Sequence, residues 1–550
     1  MDRKTKTGLA VIGAALAVLI IVVLGFIPKG DGGEAVKNEP PYAEKLFGTE
    51  IMTIEISAEE EAWQNMLDNA MKEEYISADI IINGEKFTNV GIRPKGNNSL
   101  QQVASSDSSR YGFKIKFDEY VDGQTCFGLD MLVLNNMIGD ATCMKEYTAF
   151  EMMNTLGIET PYFNYADISV NGEKWGFYFA LEAYNDSYEQ RVSGDESGVL
   201  YNVKIAEGMG GGQDPAQREK PDNENTEQRS FDSDRKGGFG GGMGAGSTGG
   251  ALLYTDDSSS SYSAIFSNVV GNDSTEEDYQ RVIAAVRALN SGEDTEEYFD
   301  VDEVLRYLAV HTVLVNLDSY SSEMAQNYYI YEYKGKLKIL PWDYNYAWGA
   351  FQGGSASDTV NFPIDTPVSG VEMSERPLIS KLFENEEYLS RYHSYLRELM
   401  DNYFADGKFR ARIDSLDSVI GSYVESDPSA FYSYDEYRKA CEAFGSIAEL
   451  RMESIYGQLD GTIPSTTDEQ KATPDKLIDA SEVNLSDLGS GMGGGKHGDR
   501  FGDFGSFGGR NGDAPQLPDG GMPLPSDGEM PQMPEGGMFQ PGVRPEAEQN

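Results

Sequence analysis

Two acids and an amide stand close together in the stretch "NLDSYSSEMAQNYYIYEYKGKLKILPWDYNYAWGAF", residues 316–351. Asp318 follows an apolar segment, Asn327 precedes a strand-like segment, and Asp343 follows the next one. Carboxylate and amide oxygens are the ligands that hard divalent cations such as Mg²⁺ prefer. A carboxylate can also take a proton from a hydroxyl group. The residue types and their spacing therefore indicate an oxygen-lined site for a cation and for proton transfer.

A β-hairpin is predicted to bring these side chains together. Segments 328–333 and 336–341 alternate as strands do, and Lys334-Gly335 lies between them as a two-residue turn. Counting back from this turn places Asn327 beside Asp343. The hairpin thus delivers an amide and a carboxylate to one place, at the exit of an apolar helix predicted over 301–316.

Charged residues upstream could complete such a site. In "YGFKIKF" the alternation places Lys114 and Lys116 on one face of a strand. A helix is predicted over 140–156, with Asp140 as its N-cap, and it carries Glu146. Glu146 could pair with one of the two lysines.

This order of parts is the one used by protein kinases. In those enzymes an aspartate accepts the proton of the acceptor hydroxyl, while an asparagine and a later aspartate hold the ions that bridge the ATP phosphates. The usual kinase motifs are nevertheless missing, because the sequence has no GxGxxG, no HRD and no DFG. The order alone therefore predicts kinase-like chemistry without an ordinary kinase sequence.

Several segments resemble the CotH family of spore-coat and surface proteins, which looks like a divergent branch of the protein-kinase fold. They include "GIRPKGNNS", "FKIKFDEYVDG", "ISVNGEKWGFYFALE", "NLDSYSSEMAQNYYIYE" and "LPWDYNYAWGAFQ", and they run in order over residues 51–456. The resemblance implies an atypical kinase that uses ATP and Mg²⁺ or Mn²⁺ to phosphorylate serine or threonine. Its implied partners are secreted, cell-surface or spore-coat proteins.

The resemblance also implies roles for individual residues. They are Asp318 as the catalytic aspartate, Asn327 and Asp343 as metal ligands, and Arg93, Lys95, Lys114, Lys116 and Glu146 as nucleotide-binding residues. Which of the two strand lysines contacts ATP stays open. Many relatives have a lysine directly after Leu-Tyr, whereas here Asn202 follows Tyr201, so a nucleotide contact at that position is in doubt.

The expected fold is α+β, a divergent two-lobed kinase-like fold with a strand-rich N-lobe and a helical C-lobe. Asn83-Gly84 and Asn171-Gly172 predict two hairpins in the first half. The domain is predicted to cover 46–461, with a flexible Gly-rich insertion at 207–250. A linker at 28–45 precedes it, and a disordered Gly/Pro/Met-rich tail at 462–550 follows it.

The N-terminus is predicted to be a membrane anchor. Residues 8–27 are uncharged and mostly apolar, long enough to cross a bilayer, and Arg3, Lys4 and Lys6 precede them. Positive charge in front of the span places the rest of the chain outside the cytoplasm. No small-residue cleavage site follows, so the sequence favours an uncleaved, single-pass anchor over 1–27.

Composition excludes several other functions. The 550 residues carry a net charge of −47, which argues against a nucleic-acid partner. The three cysteines form no metal motif and the three histidines are isolated, so zinc hydrolases and Ser-His-Asp enzymes lack their residues. His311 lies in an apolar run, where a hydrogen-bonded core histidine is the expected outcome.

Two functions of different classes remain open. One is an extracytoplasmic kinase, and the other is a catalytically inactive CotH-like scaffold on a surface or coat. Two acids and an amide around one cavity favour the kinase, whereas the scarcity of ATP outside the cytoplasm favours the scaffold. A glycan hydrolase using Asp318 and Asp343 as acid and base fits the acidic site but not the nearby lysines.

Overall fold

The computed structural model describes residues 39–204, 249–271 and 274–489. Its strands are β1 (Met52–Ala58), β2 (Ile76–Ile82), β3 (Glu85–Lys95), β4 (Gly112–Lys116), β5 (Met131–Asn135), β6 (Phe163–Val170), β7 (Glu173–Glu182), β8 (Val199–Val203), β9 (Val269–Val270), β10 (Tyr328–Tyr333) and β11 (Lys336–Pro341). Its α-helices are α1 (Pro41–Phe47), α2 (Glu60–Asp68), α3 (Asn98–Ala104), α4 (Lys145–Thr155), α5 (Asp186–Ser193), α6 (Ser263–Phe266), α7 (Glu276–Ser291), α8 (Thr295–Tyr298), α9 (Val301–Leu314), α10 (Ala356–Val360), α11 (Pro377–Phe383), α12 (Glu386–Leu399), α13 (Lys408–Glu425), α14 (Tyr434–Leu459) and α15 (Thr467–Ala472).

The first seven strands close into a barrel in the order β1-β2-β3-β4-β5-β7-β6. All neighbours are antiparallel except β1 and β6, which run parallel and close the ring. Phe113 and Ile115 of β4 are fully buried in the barrel core. Because side chains alternate along a strand, Lys114 and Lys116 lie on the opposite, outer face.

A second sheet has the order β11-β10-β8-β9. The predicted β10–β11 hairpin is confirmed residue for residue, with Tyr333 opposite Lys336 across a turn at Lys334-Gly335. Both turn residues have positive φ, 52° and 84°, as a tight two-residue hairpin turn requires. The hairpins at Asn83-Gly84 and Asn171-Gly172 are also present, joining β2 to β3 and β6 to β7.

Helix α9 lies between the barrel side and the helices that follow. It packs against α4, α12 and β11, and nearly every residue of it is buried. The side chain of Asp300 caps its N-terminus by accepting a hydrogen bond from the Glu303 amide at 3.2 Å. The helix ends at Val315, whose φ of 46° turns the chain sharply. Asn316 to Asp318 follow directly, so α9 fixes the approach of Asp318 to the site.

Helix α4 begins later than predicted. The sequence placed its N-cap at Asp140, but the helix starts at Lys145. The Asp140 carboxylate instead braces the preceding turn, accepting from the Thr142 amide and from the Lys145 amide, both at 2.9 Å. Residues 140–144 therefore form a loop that approaches the candidate site.

The two-lobed kinase-like fold with an N-terminal transmembrane helix is wrong. The strands of the first half do not form an open sheet lobe but close on themselves through the parallel β1–β6 contact. Alternation within each segment identifies a strand but not its partner, and here the closing partners are more than 100 residues apart in the sequence. Closure was therefore not visible in local patterns.

The single-pass anchor predicted at 8–27 lies outside the described residues. Within the residues that the structure does describe, no helix combines the length and the apolar character needed to cross a bilayer. The described residues thus give no support to the predicted single-pass anchor, and that prediction is corrected.

The other predicted segments meet the described residues only in part. The Gly-rich insertion falls outside them apart from residues 249 and 250. Residues 462–489, which were assigned to the tail, pack on the domain, where Ala480 and Leu488 are fully buried. The folded part thus continues beyond the predicted boundary at 461.

Candidate functional site

The candidate site begins with cations on the outer face of β3 and β4. Arg93 lies directly opposite Lys114 across the two strands, and Lys95 lies opposite Gly112. A side chain at Gly112 would come within 3.2 Å of the Lys95 Cε atom, so this glycine leaves room for the lysine stem. The strands therefore present three positive groups side by side in a strongly acidic protein.

The two strand lysines differ in their surroundings. Lys116 turns to carboxylates at the rim, with Nζ 3.0 Å from Glu119 and 3.8 Å from Asp118. Lys114 has no carboxylate within 4.0 Å in the described part of the chain. Burial lowers the pKa of Lys114 to about 8, and repulsion from Arg93 and Lys95 contributes to the lowering. Lys114 is thus the lysine that belongs to the cation cluster.

Arg93 connects the cation cluster, which consists of Arg93, Lys95 and Lys114, to an acidic side chain. Its guanidinium forms an ion pair with Glu73, and it also donates to the Pro94 carbonyl at 2.9 Å. The guanidinium lies over the ring of Tyr75, with the centroid 5.3 Å away. These contacts hold Arg93 in place next to Lys114.

Asp318 is held by two neighbouring amides. Gln326 Nε2 donates to one carboxylate oxygen at 3.1 Å, and Asn327 Nδ2 donates to the other at 3.0 Å and to the Asp318 carbonyl at 2.7 Å. Burial, which leaves 5% of Asp318 exposed, raises its pKa to about 7, and the Asp343 carboxylate adds to the rise. A carboxyl group that exchanges its proton near neutral pH suits general base catalysis.

Asp343 and Asn327 both have a left-handed backbone, with φ of 63° and 57°. Asn316 ties the two segments together, since its Nδ2 donates to the Asp343 carbonyl at 3.1 Å and its Oδ1 accepts from the Asp318 amide at 3.3 Å. Aspartate and asparagine tolerate this conformation better than most residues. The sharp turn at Asp343 therefore directs the chain from the end of β11 into the site.

The Asp343 carboxylate has neither a hydrogen-bond donor nor an ion-pair partner among the described residues. Burial raises its pKa, and only the positive charge of Lys95 opposes this. Lys95 feels both Asp343 and Glu146, but in the described structure its Nζ is within 4.0 Å of no carboxylate, and it lies 5.9 Å from the Trp342 ring centre. The space between Lys95 and Asp343, whose charges interact without forming a direct ion pair, is therefore taken as the centre of the site.

Glu146 of α4 faces this space. It is 4% exposed, and Asn135 Nδ2 donates to both of its oxygens, at 2.9 and 3.2 Å. Burial raises the pKa of Glu146 to about 8, and the Asp343 carboxylate contributes to the rise. The predicted pairing with a strand lysine is not a direct ion pair here, since the amide of Asn135 makes the contact instead.

The loop between β5 and α4 holds the segment after Asp343 in place. Asn345 Nδ2 donates to the Ile138 carbonyl at 2.8 Å, and Lys145 Nζ donates to the carbonyls of Asn345 and Gly139 at 3.2 and 3.0 Å. Gly139 has φ of 79°, and a Cβ there would lie 2.5 Å from the Tyr346 ring. The chain after β11 therefore rests on the loop between β5 and α4.

Sequence analysis missed three residues of this arrangement: Asn135, Asn316 and Gln326. Gln326 stands next to Asn327, so a pair of consecutive amides was the available signal. Asn135 is the polar end of the apolar strand "MLVLN", and a polar residue there is a weaker signal of the same kind. His311, predicted as a core histidine, is confirmed as one, since its ring nitrogens contact Tyr344 and Ser321 hydroxyls at 3.1 and 3.0 Å.

The donor set fits a hard divalent cation. Over the described ranges there is no group of three or more histidine, cysteine, aspartate or glutamate side chains arranged to hold a metal. The oxygens left open are instead mixed, with the unpartnered Asp343 carboxylate near asparagine side chains. Mg²⁺ is commonly held by only one or two carboxylates together with water and substrate phosphates, which matches this set.

Comparison with protein-family models gives a match. A family model described as "CotH kinase protein" matches residues 92–455, which is more than half of the chain. The matched range includes all of the site residues above. No curated protein matches the chain.

Proposed function

Because the chain belongs to the CotH family, we propose that it is an atypical protein kinase that transfers the γ-phosphate of ATP to serine or threonine side chains. The observation that carries the proposal is the arrangement of unlike charges. Lys95 interacts electrostatically with Asp343 and Glu146, and Lys114 lies next to Lys95, yet in the part of the chain described none of the four forms an ion pair. A polyphosphate with a divalent cation would satisfy both sets.

The cations supply the phosphate-binding half of the site. Lys95 and Lys114 project from adjacent strands, and Arg93 lies beside Lys114. Mutual repulsion among these groups is unfavourable until an anion binds between them, as the lowered pKa of Lys114 reflects. Binding of the ATP phosphates would relieve this repulsion.

The acids supply the cation-binding half. Asp343 would hold Mg²⁺ or Mn²⁺, with the side-chain oxygen of Asn327 beside it, since Asn327 uses its Nδ2 for Asp318. When bound there, the ion would neutralise charge on the phosphates that approach these acids. Asp343 itself stays fixed by its left-handed turn and by the Asn316 contact to its carbonyl.

Asp318 serves as the base. It takes the proton of the acceptor hydroxyl as that oxygen forms its bond to the γ-phosphorus and the bond to the β-phosphate oxygen breaks, which releases ADP. Gln326 and Asn327 orient the carboxylate by donating one hydrogen bond to each oxygen. The acceptors we propose are serine or threonine residues of cell-surface, secreted or spore-coat proteins.

The test compares three proteins: wild type, Asp343→Ala and Asp318→Asn. Calorimetric titration with ATP and Mn²⁺ measures binding, and labelled ATP with a serine-rich acceptor measures transfer. Asp343→Ala should lose both, because the phosphates would face the remaining acids without a cation. Asp318→Asn should keep binding while transfer falls by about 100-fold or more, because the base acts only when the hydroxyl attacks.

Asp167→Ala is the matched control, since this half-buried acid of β6 faces Lys174 at 3.6 Å and contacts none of the site residues. It should behave as wild type. If wild type binds no nucleotide, or if Asp343→Ala binds it equally well, the kinase proposal fails and an inactive scaffold takes its place.

A further inference from the structure

Asn135 leaves a buried oxygen without a partner. It is the last residue of β5 and is 8% exposed. Its Nδ2 is used twice, on the two oxygens of Glu146. Its Oδ1 has no hydrogen-bond partner within the described structure. An unsatisfied buried acceptor is energetically unfavourable, so the arrangement calls for a partner that the protein itself does not supply.

The orientation of the amide is set by Glu146. In the structure Nδ2 faces the Glu146 carboxyl group, which leaves Oδ1 without a contact to it. Asn135 also lies on the outer face of the barrel, in line with Gly112 and Lys95, because Phe113 pairs with Leu134 and Lys95 pairs with Gly112. The open oxygen thus belongs to the face that carries the cation cluster.

Glu146 shows the same need for a positive partner. Within the described residues no basic group lies within 4.0 Å of its carboxylate, although Glu146 is only 4% exposed. A buried carboxyl group without a basic partner, next to an unsatisfied amide oxygen, forms a set that a cation would satisfy.

We propose that Asn135 Oδ1 is a further ligand of the divalent cation that Asp343 holds. Its Nδ2, bonded to both oxygens of Glu146, fixes the amide so that Oδ1 stays free for the ion, which makes Glu146 a positioning residue. The inference rests on the proposed function for the presence of an ion at Asp343 and adds a ligand from β5, positioned by α4. Asn135 thus has two roles, because its Oδ1 binds the ion and its Nδ2 contacts Glu146.

The experiment uses Mn²⁺ alone, without nucleotide, and follows its binding to the whole protein by electron paramagnetic resonance. Variants are Asn135→Ala, Asn135→Asp and Glu146→Gln. The matched control is Asn164→Ala, since Asn164 of β6 is also a buried asparagine but has both groups satisfied. Its Nδ2 donates to the Leu46 carbonyl at 2.9 Å and its Oδ1 accepts from the Tyr165 amide at 2.8 Å.

Asn135→Ala and Glu146→Gln should each weaken Mn²⁺ binding by about 10- to 100-fold. Asn164→Ala should lower the thermal midpoint without changing Mn²⁺ affinity. Asn135→Asp separates a ligand from a merely structural amide. A ligand role predicts that this variant keeps Mn²⁺ binding and is stabilised by Mn²⁺ more than wild type, because it offers an added carboxylate.

A structural role predicts the reverse, since the new carboxylate would repel Glu146 and Mn²⁺ binding would fall as in Asn135→Ala. That result overturns the inference, as does an Asn135→Ala protein that binds Mn²⁺ like wild type. Should Asn135→Ala fail to fold, the comparison of Asn135→Asp with wild type decides. Failure of the kinase proposal is separate, because it appears as absent ATP binding or transfer while Mn²⁺ binding still depends on Asn135.

Discussion

Asp318, Asp343 and Glu146 are acids in surroundings that disfavour their charge. Burial raises the pKa of each, and for Asp318 and Glu146 the Asp343 carboxylate adds to the effect. A protein gains no stability from such groups, so their presence together is explained by what they bind. We therefore expect that replacing one of these three acids by a neutral residue stabilises the fold.

Asp318→Asn tests this through pH. The pKa of Asp318 is raised to about 7 in the folded protein, so between about pH 4 and 7 the folded state holds a proton that the unfolded chain has released. Its contribution to stability is therefore greatest at low pH and declines as pH rises to about 7. We expect the Asp318→Asn substitution to raise the free energy of unfolding at pH 8 by roughly 1–4 kcal/mol, and the gain to vanish near pH 4.

Asp302→Asn is the control of opposite sign. Although burial opposes it, hydrogen bonds from Tyr395 and Arg391 hold the pKa of Asp302 below its ordinary value. This replacement should lower stability at neutral pH, with the loss shrinking as pH falls through the range where the carboxylate protonates. Urea unfolding of both variants from pH 4 to 8 gives the comparison. A destabilised Asp318→Asn at pH 8 would contradict the argument.

Single residues were predictable from the sequence where their chemistry was local. The structure brings Asp318, Asn327 and Asp343 together as predicted, because one hairpin and one helix exit place them and these are short-range features, while their roles stay predictions. The choice between Lys114 and Lys116 depended on Glu119 turning Lys116 to the rim. No spacing rule reports such a contact.

Pairs of strands could be predicted where a turn with a recognisable sequence joins them. Three hairpins were found because Asn-Gly and Lys-Gly pairs fix both the turn and the register. Barrel closure depends on a contact between β1 and β6, which no turn specifies. The support of the site by the loop between β5 and α4 was equally hidden, since it joins residues about 200 positions apart.

Gly139→Ala tests this support. Its added Cβ would press on the Tyr346 ring at 2.5 Å and displace the segment that follows Asp343. Gly157→Ala is the matched control, because its φ of 73° is nearly the same as the 79° of Gly139 but the nearest atom to its Cβ would be Arg306 Nη1 at 3.6 Å. Both variants should lose about 1 kcal/mol from the left-handed backbone.

Only Gly139→Ala should also weaken Mn²⁺ and ATP binding, by about 10-fold or more, as a ligand moves out of position. Thermal unfolding and calorimetric titration of the two proteins measure both effects. Equal ligand affinities in the two variants would show that the loop does not position Asp343.

At the scale of the whole molecule, the last residues that the structure describes support the site. Leu488 is fully buried, and its carbonyl accepts a hydrogen bond from the Ala141 amide at 3.1 Å, two residues from Gly139. Upstream, Asn361 exchanges hydrogen bonds with the backbone of Ile478 at 2.8 and 3.0 Å. The composition of 462–550 predicted none of this, because a few buried side chains within a polar stretch give no periodic pattern.

Two truncations separate the packed residues from those that follow. A chain ending at residue 489 keeps every contact described here and should unfold within about 2 °C of the full chain. A chain ending at residue 461 loses the buried Leu488 and Ala480 and the bonds at Asn361 and Ala141. Burial of one leucine alone stabilises by about 1.5–3 kcal/mol, so its midpoint should fall by several degrees.

The chain ending at 461 should lose affinity for Mn²⁺ as well. The loop that carries Gly139 and Asp140 would no longer have the hydrogen bond from the Ala141 amide to the Leu488 carbonyl. The chain ending at 489 is the internal control for this measurement. If both truncations unfold at the same temperature and bind Mn²⁺ equally, residues 462–489 are not part of the structural unit that positions Asp343, and the boundary at 461 read from composition is the functional one.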